Sequence, residues 1–332
     1  MKTRFKAIVF LLIAPPIFAE VLSGSTPPLA FVEPFTCVLL VFLYGCGALL
    51  IRELRSRWRL GWRVLLLAVA YGILEEGVIV QSFFNPGWED LGFLSAYGMF
   101  LGVQWPWTLM LIAFHATISI LAPLAAADLL WPDQKDEPLL KTTGLVLAIL
   151  GLCVMCAVSI PGFRRMPAMV ETLPGWEIIS ISGMIVAMLI VAAKVSPQKT
   201  PPILPGKQTR PWVVFGAAFV FQALNGIIPF AFAEHGFPAG VTIVIQVVIL
   251  ALAVIFAFRV LGFPNVVEKS RWAVLFGSLA FWMIIAVGHE FSGSGWPNEY
   301  SGAGAVSLGI VTLLFFLYRR IRKTEEGTST DG

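Results

Sequence analysis

Residues 239–259 read AGVTIVIQVVILALAVIFAFR, twenty uncharged residues closed by a single arginine. A helix rises 1.5 Å per residue, so a run of ~20 apolar residues covers the ~30 Å hydrocarbon core of a bilayer. Working outward in both directions, runs of the same kind recur near 6–23, 35–53, 63–81, 105–128, 143–160, 176–194, 212–233, 272–290 and 301–318. The chain of 332 residues is 58% hydrophobic and 13% charged, with a mean hydropathy of +0.83. An ordinary soluble domain carries roughly 25% charge, so this composition needs lipid as the solvent for much of the surface. The expected fold is therefore all-α, a polytopic transmembrane helix bundle of about ten spans.

The basic residues give the bundle a direction. If the amino terminus is cytoplasmic and the chain alternates sides ten times, 21 of the 23 Lys and Arg residues fall on the cytoplasmic side. Only Arg164 and Arg165 fall outside. So one-sided a distribution is what the positive-inside rule requires of a correct topology, with both termini in the cytoplasm of a cell-membrane protein. Eleven Trp suit aromatic belts at the two interfaces. The first residues, MKTRFKAIVFLLIAPPIFAE, share the basic start and apolar centre of a secretory signal. Pro15-Pro16 and the large Ile17-Phe18 make residues 1–19 a poor cleavage substrate, so they are expected to stay as the first span.

Residues 195–211, VSPQKTPPILPGKQTRP, form a Pro-rich cytoplasmic connector. It divides an amino-terminal membrane bundle of six helices (1–194) from a carboxy-terminal one of four (212–323), followed by an unstructured tail at 324–332. The longest outer connection, 82–104, has no Lys or Arg and six aromatic residues. It is expected to lie at the interface, as a space-filling half-helix or as a lid over a site. Cys37, Cys46, Cys153 and Cys156 all lie in apolar runs. The C-x-x-C at 153–156 has no further polar ligand beside it and reads as small apolar helix residues. The scattered basic residues present no nucleic-acid surface, and no Walker-type loop, dinucleotide fingerprint or H-E-x-x-H is present.

Ionisable residues inside a span cost at least ~2.5–3.5 kcal/mol each, which makes them functional candidates. Glu75 and Glu76, in AYGILEEGVIVQ, are the conspicuous pair. Adjacent positions on a helix stand about 100° apart, so the two acids are expected on different faces, with Tyr71 one turn below Glu75. His115 lies at similar depth on the next span, with Ser119 on its face, and consecutive antiparallel helices are usual neighbours. A Glu–His contact is expected, serving as a buried structural bond, a proton relay or a ligand set. Gln222 and Asn225 share a stripe on the seventh span, ahead of Pro229, and extend the candidate ligand or proton pathway. His235 and His289 lie at outer helix ends beside Glu234 and Glu290.

Two acids on one helix and a histidine on the next resemble the CPBP intramembrane proteases, the CAAX-protease and bacteriocin-processing group. That family's motifs run E-E-x-x-x-R, F-x-x-x-H and H-x-x-x-N. Glu75 and Glu76 match the paired acids and His115 the second motif's histidine. Val80 stands at the arginine position and Leu111 at the phenylalanine position. Ala239 and Gly293 follow His235 and His289 where the family has asparagine. The resemblance implies a water-activating site in which Glu76 and His115 bind a metal such as zinc, with His289 the nearest third ligand, and Glu75 activates water.

Three functions follow from these residues. The first is transport or small-ligand binding, with Glu75, Glu76 and His115 as a proton- or cation-linked centre for a small molecule or ion. The second is the intramembrane metalloprotease. The third is a scaffold or accessory subunit whose buried polar groups only orient helices.

Overall fold

The computed structural model describes residues 2–164, 175–195, 209–260, 268–292 and 298–330, and the chain is an all-α helix bundle. Helix α1 spans Lys2–Pro16 and continues as a π-helical turn, Ile17–Val21. Helix α2 spans Pro34–Arg57. Helix α3 spans Val64–Ile73 and continues through the π-helical Leu74–Ile79. Helix α4 spans Trp105–Leu130. There follow α5 (Thr142–Arg164), α6 (Gly175–Lys194), α7 (Pro211–Glu234), α8 (Ala239–Val260), α9 (Glu268–Ser292) and α10 (Ala303–Thr330). Each lies where an apolar run was expected, and α10 continues through Thr330, so residues 324–330, expected as an unstructured tail, are helical. Among the described residues, seven (α2, α4, α5, α7, α8, α9 and α10) are long and apolar enough to cross a membrane. The chain is therefore a multi-pass membrane protein embedded in a lipid bilayer. Most of the connector expected at 195–211 lies outside the described residues, as do Arg165 and residues 331–332.

Local chemistry sets several helix ends. Pro34 and Pro211 occupy the first turns of α2 and α7, where a missing N–H costs no intrahelical bond. The start of α10 is capped from another helix: the Glu290 carboxylate accepts the N–H of Gly302 at 3.0 Å and of Gly304 at 2.5 Å. A carboxylate there satisfies orphan donors and faces the positive end of the helix dipole.

Helix α4 is the hub. It packs against α1 and α3 on one side and against α7, α8 and α9 on the other. Burial follows: 67% of its most apolar window is enclosed, against 11% for α5 and α8, whose flanks face lipid. Helix α5 lies on α2, and α6 on α3. Cys153 and Cys156 are free thiols on α5, the first of them exposed.

At the end of the bundle that carries the arginines, here called the basic face, the 131–141 loop is held from all sides. Arg55 makes a bidentate pair with Asp128 at 2.8 and 2.5 Å and donates to the Lys135 carbonyl at 3.0 Å. Arg4 donates to the Pro138 carbonyl at 2.7 Å and to that of Leu139, while Arg52 reaches the carbonyls of Gln134 and Glu137. Buried Glu53 accepts the N–H groups of Leu139 and Leu140 and pairs with Arg57 at 3.0 Å.

The opposite, distal face carries the 82–104 loop. It folds into short 3-10 turns and a two-stranded ribbon, β1 (Met99–Phe100) with β2 (Val103–Gln104), paired Met99 to Gln104. Leu101 and Gly102 both have positive φ, which suits a tight hairpin turn. Tyr97 ties the loop to α8, its hydroxyl lying 2.6 Å from Thr242 Oγ1 and donating to the Phe237 carbonyl at 2.9 Å. Of the aromatics expected at the interface, Phe83 is buried, while Phe93 and Phe100 are exposed.

Candidate metal centre

Four π-helical turns interrupt the first four helices: Ile17–Val21, Val41–Gly45, Leu74–Ile79 and His115–Leu121. π-helix accounts for well under about 1% of residues in folded proteins, and its single turns concentrate at functional sites. Here they carry i→i+5 bonds such as Val80 N–H to Glu75 O at 2.8 Å and Leu22 N–H to Ile17 O at 3.2 Å. Pro123 assists the fourth, because its nitrogen cannot donate to the carbonyl of Ser119. The four turns supply Glu20, Tyr44, the Glu75–Glu76 pair and His115 with Ser119. Every ionisable member of the polar centre thus sits on a widened turn.

His115 is the pivot. Its Nε2 lies 3.0 Å from Glu76 Oε1, and its Nδ1 lies 3.0 Å from both Glu75 Oε2 and Ser119 Oγ. The expectation that Glu75 and Glu76 would lie on different faces does not hold at the site. They approach opposite nitrogens of one ring, and the widened turn carries both toward α4. The ring is walled by Phe114, edge-on at 5.2 Å, and by Tyr44, nearly parallel at 6.1 Å. Gly72 permits the contact between α3 and α4: a Cβ there would stand 3.0 Å from that of His115.

The surroundings are dry and mostly committed. Ser82 donates its hydroxyl to Glu76 Oε2 and accepts the Trp107 indole N–H at 3.0 Å, which plugs the centre beneath the 82–104 loop. Glu75 Oε2 is likewise buried, and its contact is the ion pair with Nδ1 at 3.0 Å. Tyr71 does not reach it, since its hydroxyl donates to the Leu43 carbonyl at 3.2 Å. Tyr44 takes the place expected of Tyr71. It interacts with Glu75 and donates to Glu20 Oε1 at 2.5 Å, while Thr26 donates to Glu20 Oε2 at 2.6 Å.

Glu75, Glu76 and His115 each offer one ligand atom within 4.8 Å of the others, so the three form a group able to coordinate a metal ion. Two carboxylates and an imidazole are a donor set that zinc accepts. The charge balance points the same way. Three acids face one imidazole in a membrane interior, an excess that only protons or a cation can offset.

The remaining candidates lie elsewhere. Gln222 accepts the Trp282 indole N–H at 3.1 Å and donates to Thr117 at 2.9 Å, and Asn225 donates to the Met110 carbonyl at 3.1 Å. Both join α7 to α4 rather than lining the centre. His289 stacks on Tyr300 at 5.0 Å and packs over Gly24, outside the three-residue group. His235 faces its own helix, with Nδ1 2.8 Å from the Ala231 carbonyl. Glu20 and Tyr44 were not anticipated as site residues. The signal was present in Glu20 alone, an ionisable residue inside the 6–23 run.

The model of an uncharacterised membrane protein family matches residues 9–285, a stretch that includes every member of the centre. No curated protein and no solved structure matches the chain. Nothing in the family match is specific to the CPBP proteases. With 9–285 matched, the chain belongs to this uncharacterised membrane protein family.

Proposed function

We propose that the chain is an intramembrane metal-dependent hydrolase of the CPBP kind, cleaving peptide bonds in or beside the bilayer. One observation carries the reading: buried Glu75, Glu76 and His115 each bring a ligand atom within 4.8 Å of the others. Glu76 and His115 are the residues that would hold the ion, zinc first among the divalent metals. A bound zinc ion supplies Lewis-acid polarisation and a water that ionises near neutrality. Glu75, at the other nitrogen of the His115 ring, would be the base that takes a proton from an attacking water. Ser82 and Trp107 hold Glu76 in place and keep bulk water out. Metal analysis of purified protein tests the reading, with one equivalent of metal expected in the wild type and none in His115→Ala. Glu75→Gln should retain metal and lose cleavage of a membrane-reconstituted peptide. Metal-free protein whose melting is indifferent to chelators and to added zinc overturns the proposal.

A second reading, transport or small-ligand binding at the same centre, draws support from the four π-helical turns. Interrupted helices at mid-membrane are how many transporters build ion sites. It expects a pH-dependent flux in proteoliposomes that Glu75→Gln abolishes. If Glu75→Gln and His115→Ala merely fail to fold, the scaffold role gains.

The same proposal includes ten crossings with both termini in the cytoplasm. Its support is the coincidence of α1, α3 and α6 with the three remaining apolar runs, and the gathering of arginines at the basic face.

A further inference from the structure

Glu20 and Tyr44 are the polar members of the centre that the hydrolase reading leaves unused. Glu20 is half-buried, whereas Glu75, Glu76 and His115 are buried. It lies where α1 ends at the distal face, and the following loop is wound onto its carbonyl. Ser23 Oγ, Gly24 N–H and Thr26 N–H all donate to that one oxygen, at 3.1, 3.1 and 3.2 Å. The loop brings the Thr26 hydroxyl to the carboxylate, while the Ser23 hydroxyl bonds to that of Ser25 at 3.1 Å. On its inner side stands the Tyr44 hydroxyl, the last group before Glu75. The charged and titratable groups facing this line are Glu75, His115 and Tyr71.

Two other sides are occupied by described residues. Ser82 and Trp107 fill the space beyond Glu76. Helices α3 and α4 touch at Gly72. Over the Glu20 side lies the His289 ring, so close to Gly24 that a Cβ there would stand 2.7 Å from its Cδ2. Gly24 has a φ of +87°, so the loop beneath that ring turns at a residue without a side chain.

We infer that Glu20 and Tyr44 form the access path by which a divalent cation passes between the distal surface and the Glu75–Glu76–His115 centre. The inference rests on the metal reading of that centre. Glu20 is the first carboxylate a cation meets, with the Thr26 hydroxyl beside it to replace part of the ion's water. Rotation of the Tyr44 hydroxyl away from Glu20 then opens the step to Glu75. Glu20 on this view is not a ligand of the bound ion. Its removal should slow loading and leave the final occupancy intact.

The test uses chelator-stripped full-length protein in detergent, loaded with cobalt(II) alone and followed by its visible absorption. Wild type should take up one equivalent. Glu20→Gln should reach the same occupancy at least about tenfold more slowly, the order of rate that a focused charge contributes to association. Glu20→Asp should recover much of the rate, and Tyr44→Phe should slow loading without changing occupancy. Thermal melting of each stripped variant separates misfolding from slow loading, and the milder Thr26→Val supplies a slow-loading variant if Glu20→Gln does not fold. Equal rates in wild type and Glu20→Gln overturn the path while leaving the metal centre standing. Lost occupancy in Glu20→Gln also overturns it, because Glu20 would then be a ligand. Wild type that takes up no cobalt overturns both readings.

Discussion

His115 satisfies two acids at once, one through each nitrogen at 3.0 Å, and the consequence of removing it is lopsided. His115→Ala strands two buried carboxyls, and breaking a buried pair from one side costs about 3–5 kcal/mol. Adding Glu75→Gln and Glu76→Gln to the same variant should restore much of that loss, because no charge is left to offset. Thermal unfolding of the metal-stripped protein in detergent checks both, and an unaffected single variant would count against the charge argument. A different mechanism operates at Gly45, where a Cβ would meet the backbone oxygen of Leu12 at 2.5 Å. Backbone cannot rotate aside, so Gly45→Ala should force α1 from α2 at a cost of about 1–3 kcal/mol. At this scale the sequence disclosed Glu75, Glu76 and His115, because charge inside an apolar run is visible without a structure. It did not disclose the Tyr44–Glu20 bond, which joins two helices through side chains whose register depends on widened turns.

The π-helical turns are an element-scale device, each equivalent to one residue more than a regular helix needs. Deleting Val78 should return Leu74–Ile79 to regular α-helix and swing the preceding acids by about 100° relative to the residues beyond. Helical content by circular dichroism should be unchanged while metal occupancy disappears. Retained occupancy would mean that the widened turn does not set the site. The arginine-held loop offers a second test. Arg55→Ala leaves Asp128, 8% exposed, without its bidentate partner, and the expected loss is about 3 kcal/mol with new protease cleavage within 131–141. Intact resistance to protease would show that the other arginines suffice. Helix positions were legible because apolar length is local information. The π-turns were not, since which carbonyl loses its i→i+4 partner is decided by packing, and Pro123 was their sole local hint. The 99–104 ribbon was hidden for a similar reason, its turn placing a non-glycine residue, Leu101, at positive φ.

The molecule as a whole has two chemically distinct ends joined by α4. Cysteines placed singly at Ser95 and at Asp133, in a chain whose four native cysteines are replaced, should respond oppositely to an impermeant maleimide. In sealed right-side-out vesicles, Ser95→Cys should label and Asp133→Cys should not. The reverse pattern would invert the orientation that the basic residues imply. Apolar length was enough to read the multi-pass bundle from sequence, and charge asymmetry supplies the direction that this labelling tests. The division into six and four helices is less apparent in the packing, because α4 touches α7, α8 and α9 as closely as it touches α1 and α3.

The clamp at the basic face grips carbonyl oxygens. Arg4, Arg52 and Arg57 each donate to the backbone of the 131–141 loop, as Arg320 does to Leu130. A grip of that kind is blind to side-chain identity. The loop can therefore change its surface chemistry from one relative to another while its path stays fixed, which leaves evolution free to rewrite what this face displays without disturbing the helices that hold the centre.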